Sequence, residues 1–237
     1  RPMQKSALEV PLRDGPMRAF VVAETGAGKT EAARRLAQRM LLAGKGRGLY
    51  FALPTMATAD AMFERARKVM RALFAAPPSL TLAHGRAALS PEFREVREQT
   101  GWSDTVVCGP WLADSRRRAL LADIGVGTID QALLAILPTR FATLRIHGLA
   151  AKILIVDEVH ELGDPYLAEE LEALLRLHAQ GGGSAILLTA TLPLGQRARL
   201  ARAFEEGAGR GYAPDPEPAY PALSIPGGAA VRDFPGV

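Results

Sequence analysis

Short apolar runs without a polar face are what most restrict this chain. Ala19–Val22, Gly48–Leu53, Leu80–Ala83, Thr105–Cys108, Ile153–Val156 and Ala185–Leu188 are too short for buried helices, and their successive residues are nearly all apolar. A strand wetted on one side alternates polar with apolar residues, so runs that do not alternate must be covered on both faces. Helical patterns lie between them, at Thr30–Leu42, Ala57–Leu73, Pro91–Gln99, Ile129–Leu137, Pro165–Ala179 and Leu194–Glu206. Strand alternating with helix predicts an α/β fold, a mostly parallel central sheet with helices on both faces. From Gly207 onward the chain is rich in Pro and Gly with no helical period. That segment, 207–237, reads as a tail or linker leaving a domain of residues 1–206.

Composition adds limits. A chain of 237 residues, 48% hydrophobic and 23% charged, suits a globular protein with a sizeable core. No apolar run approaches the roughly 20 residues of a membrane helix, and no leader peptide is visible. A lone cysteine, Cys108, excludes a disulfide framework and fits a reducing compartment, so a cytoplasmic protein is expected. The net charge of +4 suits a nucleic-acid partner but is too small to argue for one. Arg116–Arg118 and the run Arg65, Arg67, Lys68 and Arg71 concentrate the basic residues. The second group reads more simply as a solvated helix face.

The chemistry begins where the first strand ends. AETGAGKT (Ala23–Thr30) stands between a strand and a helix, the setting a phosphate loop requires. Gly26 and Gly28 let the backbone turn its N–H groups inward, and the helix N-terminus adds partial positive charge there. Thr25, Gly26, Ala27, Gly28, Lys29, Thr30 and Glu31 are therefore candidate contacts to a nucleoside triphosphate. Lys29 would reach the β- and γ-phosphates, and the Thr30 hydroxyl would ligate magnesium. The strict motif opens on Gly, and here Ala23 stands in its place.

A second element completes such a site. KILIVDEVH (Lys152–His160) is an apolar strand running into two acids. Asp157 at the strand end would reach the same magnesium, and Glu158 would polarise a water for in-line attack. Unpaired carboxylates cost several kcal/mol in a core, which makes a packing role for the pair a poor one. Further on, LLTATLP (Leu187–Pro193) sets Thr189 and Thr191 after a strand, where hydroxyls can bond the acidic motif and relay its state.

DEVH followed by LLTATLP resembles motifs II and III of superfamily 2 helicases. LPTMATADAMFERA, LAHGRA, GTIDQALL and the stretch through DEVH together resemble the helicase portion of the CRISPR-associated helicase–nuclease of type I systems, from Arg1 to about Leu194. The resemblance implies a first RecA-like lobe that binds ATP and Mg2+ and, in the complete protein, translocates on single-stranded DNA after an RNA-guided surveillance complex finds its target. It implies that Gln4, in RPMQ, reads adenine, and that His160 couples nucleotide state to DNA. It further implies that Thr55 and Thr58 (motif Ia) and Thr128 (motif Ib) touch the strand's backbone. Helix N-capping is an equally good account of Thr55 and Thr128.

There are also departures. ELGDPYL carries an extra residue against the family's pattern, which leaves Asp164 without a role. The family's HD nuclease needs clustered His and Asp, and none of the four histidines here is followed by Asp. A second RecA-like lobe has no room after Pro193. Slow or absent turnover is expected of this part alone. Two alternatives stay open: the lobe of another superfamily 2 DNA or RNA helicase, and a nucleotide- or DNA-binding module without turnover of its own. His84 reads as a satisfied loop histidine, His147 and His178 carry no functional signal, and Trp102 and Trp111 stack bases or pack the core.

Overall fold

Alternate residues of the apolar runs go to opposite sides of one sheet, as strand geometry requires. The computed structural model describes residues 2–69, 74, 78–84, 119–150, 152–213, 220 and 222–225. Among them, β1 (Arg18–Val22), β2 (Gly48–Leu53), β3 (Leu80–Ala83), β4 (Ile124–Thr128), β5 (Lys152–Val156), β6 (Ser184–Thr189) and β7 (Ala222–Ser224) form a single sheet in the order β3-β4-β2-β5-β6-β1-β7. The first six are parallel, and β7 pairs antiparallel with β1. Every strand residue is buried.

Two cores follow from the pleat. Ala19, Val21, Leu49, Phe51, Ile153, Ile155, Ile186 and Leu188 face one core, shared with α1 (Pro2–Glu9), α2 (Lys29–Leu42) and α3 (Met56–Val69). Phe20, Val22, Tyr50, Leu154, Val156 and Leu187 face the other. That face packs on α4 (Ile129–Leu133), α5 (Ala142–Ala150), α6 (Pro165–Gln180) and α7 (Leu194–Gly207). Burying one apolar stripe per helix on each face makes the α/β layering stable. Asp164 finds its role as the N-cap of α6, accepting from the Tyr166 and Leu167 N–H groups, with Pro165 at the first helical position. On α3, Arg67 and Lys68 pair with Glu64, three and four residues back, as a solvated helix face does.

Four elements depart from the sequence reading. β4 is a strand although Gly125 and Gly127 interrupt its apolar run. Gly127 is required by close packing: a β-carbon there would lie 2.3 Å from the Ala83 carbonyl oxygen and 2.6 Å from the Tyr50 hydroxyl. The helix expected over Ile129–Leu137 ends at Leu133, where Ala135 and Ile136 bond carbonyls three residues back. α1 forms at the chain start, and Arg39 of α2 donates to the carbonyls of Ala7 and Val10 at its C-terminal end. The segment read as a tail returns to the sheet at β7, so 222–224 belong to the packed domain and not to a linker. The expected helix Pro91–Gln99, strand Thr105–Cys108, both tryptophans and Arg116–Arg118 lie outside the described residues.

Candidate nucleotide-binding site

Because β1 to β6 are parallel, the loops that follow them open at one edge of the sheet. The phosphate loop after β1, Thr55 after β2, His84 after β3, Thr128 at the end of β4, Asp157 after β5 and Thr189 at the end of β6 therefore share that edge. Ala23 N–H donates to the Thr189 carbonyl (3.2 Å) and Asp157 N–H to the Ala52 carbonyl (3.0 Å), tying the loop starts to neighbouring strands.

Gly26 and Gly28 turn the loop with φ of +83° and +90°, values that favour glycine. Gly28 is the N-cap of α2 and offers no side chain to the helix's first N–H groups. A helix start presents such donors to an anion. Lys29 is 6% exposed; its Nζ donates to the Ala23 carbonyl at 2.9 Å and lies 4.0 Å from Glu158 Oε1. Glu31 is turned toward its own helix, where it accepts from Arg34 (2.5 and 3.0 Å) and lies 3.5 Å from Arg35. The Arg34 hydrogen bond holds its carboxyl below the usual range. Thr25 is exposed, while Ala27, Thr30 and Gln4 are half-buried.

The acids are set by backbone as well as side chain. Glu158 is one of two non-glycine residues with positive φ among those described (φ 50°, ψ 50°), and its N–H donates to Asp157 Oδ1 at 2.9 Å. Non-glycine residues in this region cost about 1–3 kcal/mol and cluster at functional sites. Burial, then the Glu158 charge, pushes the Asp157 carboxyl up, against the pull of Lys29. Glu158 Oε2 is sealed from solvent without a hydrogen bond; His160 Nδ1 lies 3.4 Å away, outside bonding geometry. His160 Nδ1 lies 3.2 Å from Thr189 Oγ1, which itself donates to the Thr191 carbonyl. With the hydroxyl proton committed there, Nδ1 is the donor toward Thr189. Thr191 thus enters through its backbone.

These residues fit a magnesium-bound triphosphate. Two carboxylates and a hydroxyl are the hard oxygen donors magnesium takes. The sealed, unbonded Glu158 oxygen and the raised Asp157 carboxyl are both what a nearby cation would relieve.

The threonines divide. Thr55 and Thr58 form a reciprocal cap on α3, each side-chain oxygen accepting the other's N–H at 3.2 Å, and both remain exposed. Thr128 occupies the N-cap position of α4 without a side-chain cap bond, and its carbonyl accepts from the Tyr50 hydroxyl at 3.4 Å. His84 is buried and its Nε2 lies 3.1 Å from Asp60 Oδ1 on α3, a partner no local spacing could reveal.

This is the geometry of a RecA-like lobe, and the chain belongs to the DEAD/DEAH box helicase family, whose profile matches residues 1–200. Within that family it is similar to the CRISPR-associated endonuclease/helicase Cas3 of Thermus thermophilus, 40% identical over 232 residues, covering 93% of this chain and 24% of the relative. The crystal structure of T. fusca Cas3 with AMPPNP superposes with a TM-score of 0.84 at 37% identity, over 94% of this chain and 25% of that one. A chain in a CRISPR RNA-guided surveillance complex, pre-nicking, matches with a TM-score of 0.63 at 34% identity, over 89% of this chain and 21% of that one. The chain thus spans about a quarter of the length of the curated relatives it matches. Among the described residues, no helix is long and apolar enough to cross a membrane.

Proposed function

We propose that this chain is the ATP-binding first RecA-like lobe of a cytoplasmic, CRISPR-associated helicase that translocates on single-stranded DNA. The observation that carries the reading is the convergence of Lys29 Nζ and Glu158 Oε1 to 4.0 Å, from opposite halves of the sequence, at the loop edge of one mostly parallel sheet. In this reading the N–H groups of residues 26–30 hold the phosphates, and Lys29 exchanges the Ala23 carbonyl for a phosphate oxygen. Thr30 and Asp157 would hold Mg2+, which when bound would neutralise phosphate charge. Glu158 orients the attacking water and accepts its proton, and His160 passes the state of the acids to Thr189 and Thr191. Gln4 takes the adenine edge. Thr55 and Thr58, at the start of α3 after β2, and Thr128, at the end of the neighbouring strand β4, hold strand phosphates without reading bases.

In this reading the remaining length of the full-length protein holds a second RecA-like lobe with its arginine finger, and is where an HD nuclease would lie. The surveillance complex is its partner, a reading supported by the assembly that holds a structural neighbour. Lys29→Ala in the full-length protein is the test. Movement along single-stranded DNA should vanish while nucleotide-free DNA binding survives; undiminished movement would refute the proposal, and equal movement on RNA would refute the choice of strand.

A further inference from the structure

The strand order gives a bound nucleotide a direction. The acids follow β5, Thr189 ends β6, and the phosphate loop follows β1, so the terminal phosphate belongs on the β5–β6 side of β1. The base must then extend the other way, toward β7. Neighbouring strands lie about 4.8 Å apart, so β5 to β7 spans roughly 14 Å, room to lay a nucleoside triphosphate across the loop edge.

At that far side the returning segment supplies a ring. Ala222 pairs with Val22 in antiparallel register, which sets the start of β7 beside the end of β1, where the phosphate loop begins. Tyr220 stands there, 52% exposed. Desolvation and the charge of Glu24 raise its phenol. The anchor beneath it is firm. Ala222 and Leu223 are fully buried, and Arg197 donates to Ser224 Oγ at 2.7 Å with its guanidinium 5.5 Å from the Phe20 ring centroid. On the opposite face of β7, Leu223 and Ile225 share a core with Met3 and Ala7 of α1, the helix that carries Gln4.

We infer that Tyr220 is the base-side wall of the nucleotide site and stacks on the nucleobase once the phosphates are seated at Gly28–Thr30. The inference rests on the nucleotide reading above. It makes part of the Pro/Gly-rich segment a component of the site. Every base presents a π-face, so a ring presented this way stacks without selecting among bases, leaving selection to hydrogen bonds.

The test compares ATP with inorganic tripolyphosphate, which has no base, by competition against a fluorescent ATP analogue on the full-length protein. Tyr220→Ala should weaken ATP about five- to tenfold and leave tripolyphosphate unchanged. Tyr220→Phe, which keeps the ring, should retain ATP affinity. Unchanged ATP affinity in Tyr220→Ala would overturn the inference, as would parallel weakening of both ligands, which would mark a disturbed loop. Lys29→Ala should weaken both ligands. If it weakens them while Tyr220→Ala is silent, only the base wall fails; if it weakens neither, the nucleotide reading itself falls.

Discussion

Acid should loosen this fold through one histidine. His178, on α6, is fully buried, and its Nε2 lies 3.0 Å from the Ser184 carbonyl. The ring is packed so closely that a β-carbon on Gly183 would lie 2.3 Å from it. Burial pushes the imidazole down to about 4, from the ordinary value of 6.5. The folded state thus disfavours the charged form. The His178 contribution to stability is fully present above pH 6.5 and is lost as pH falls through 6.5 toward 4. Linkage over that interval gives a loss of about 2 kcal/mol between pH 7 and pH 5, and about 3 kcal/mol once pH is well below 4. Asp157 works the other way, because its raised carboxyl takes up a proton more readily folded than unfolded. The useful readout is therefore a difference. His178→Gln keeps an N–H for the Ser184 carbonyl but does not titrate. Urea unfolding of both proteins at pH 7 and pH 5 should show the wild type losing about 2 kcal/mol more than the variant. Equal losses would refute the reasoning, since every other titrating group is common to both.

Two further outcomes follow from the loop edge. Thr55→Ala should lower the melting temperature by about 2–4 °C, the effect of losing a cap worth about 1 kcal/mol, while Thr55→Ser preserves it. If Thr55 also holds a strand phosphate, single-stranded DNA affinity falls with the alanine and not with the serine, as a filter-binding titration would show. Gly28→Ala forces a β-carbon onto a residue at φ +90°. It should cost about 1–2 kcal/mol in thermal unfolding and weaken ATP binding in equilibrium titration, because the same turn aims the N–H groups.

Much of this protein lies in plain view in its sequence, for a local reason. The runs AFVV, GLYFAL, ILIV and AILL have no polar face, so whichever way the chain folds they must lie between two layers. The loop Ala23–Thr30 is equally self-contained, since its glycines, lysine and threonine lie within one turn and one helix start. The pair Asp157–Glu158 announces itself because two adjacent acids after four aliphatics have no place in a core.

The rest depends on partners far along the chain. β4 carries two glycines, which weaken any strand pattern, and the need for one of them is visible only once Tyr50 and Ala83 crowd against it. β7 is three residues in a Pro-rich segment, and its extended form comes from pairing with β1 and from the Arg197 hydrogen bond to Ser224. His84 acquires Asp60, and Glu158 acquires Lys29 and its left-handed backbone, only when strands distant in sequence align their ends. The sequence by itself determined the layers, the phosphate loop and the acids, because short-range periodicity and local turn chemistry encode them. Tertiary structure alone decided which side chains meet at the loop edge and which segment pairs beyond β1, because strand order is a property of pairing and no stretch of sequence contains it.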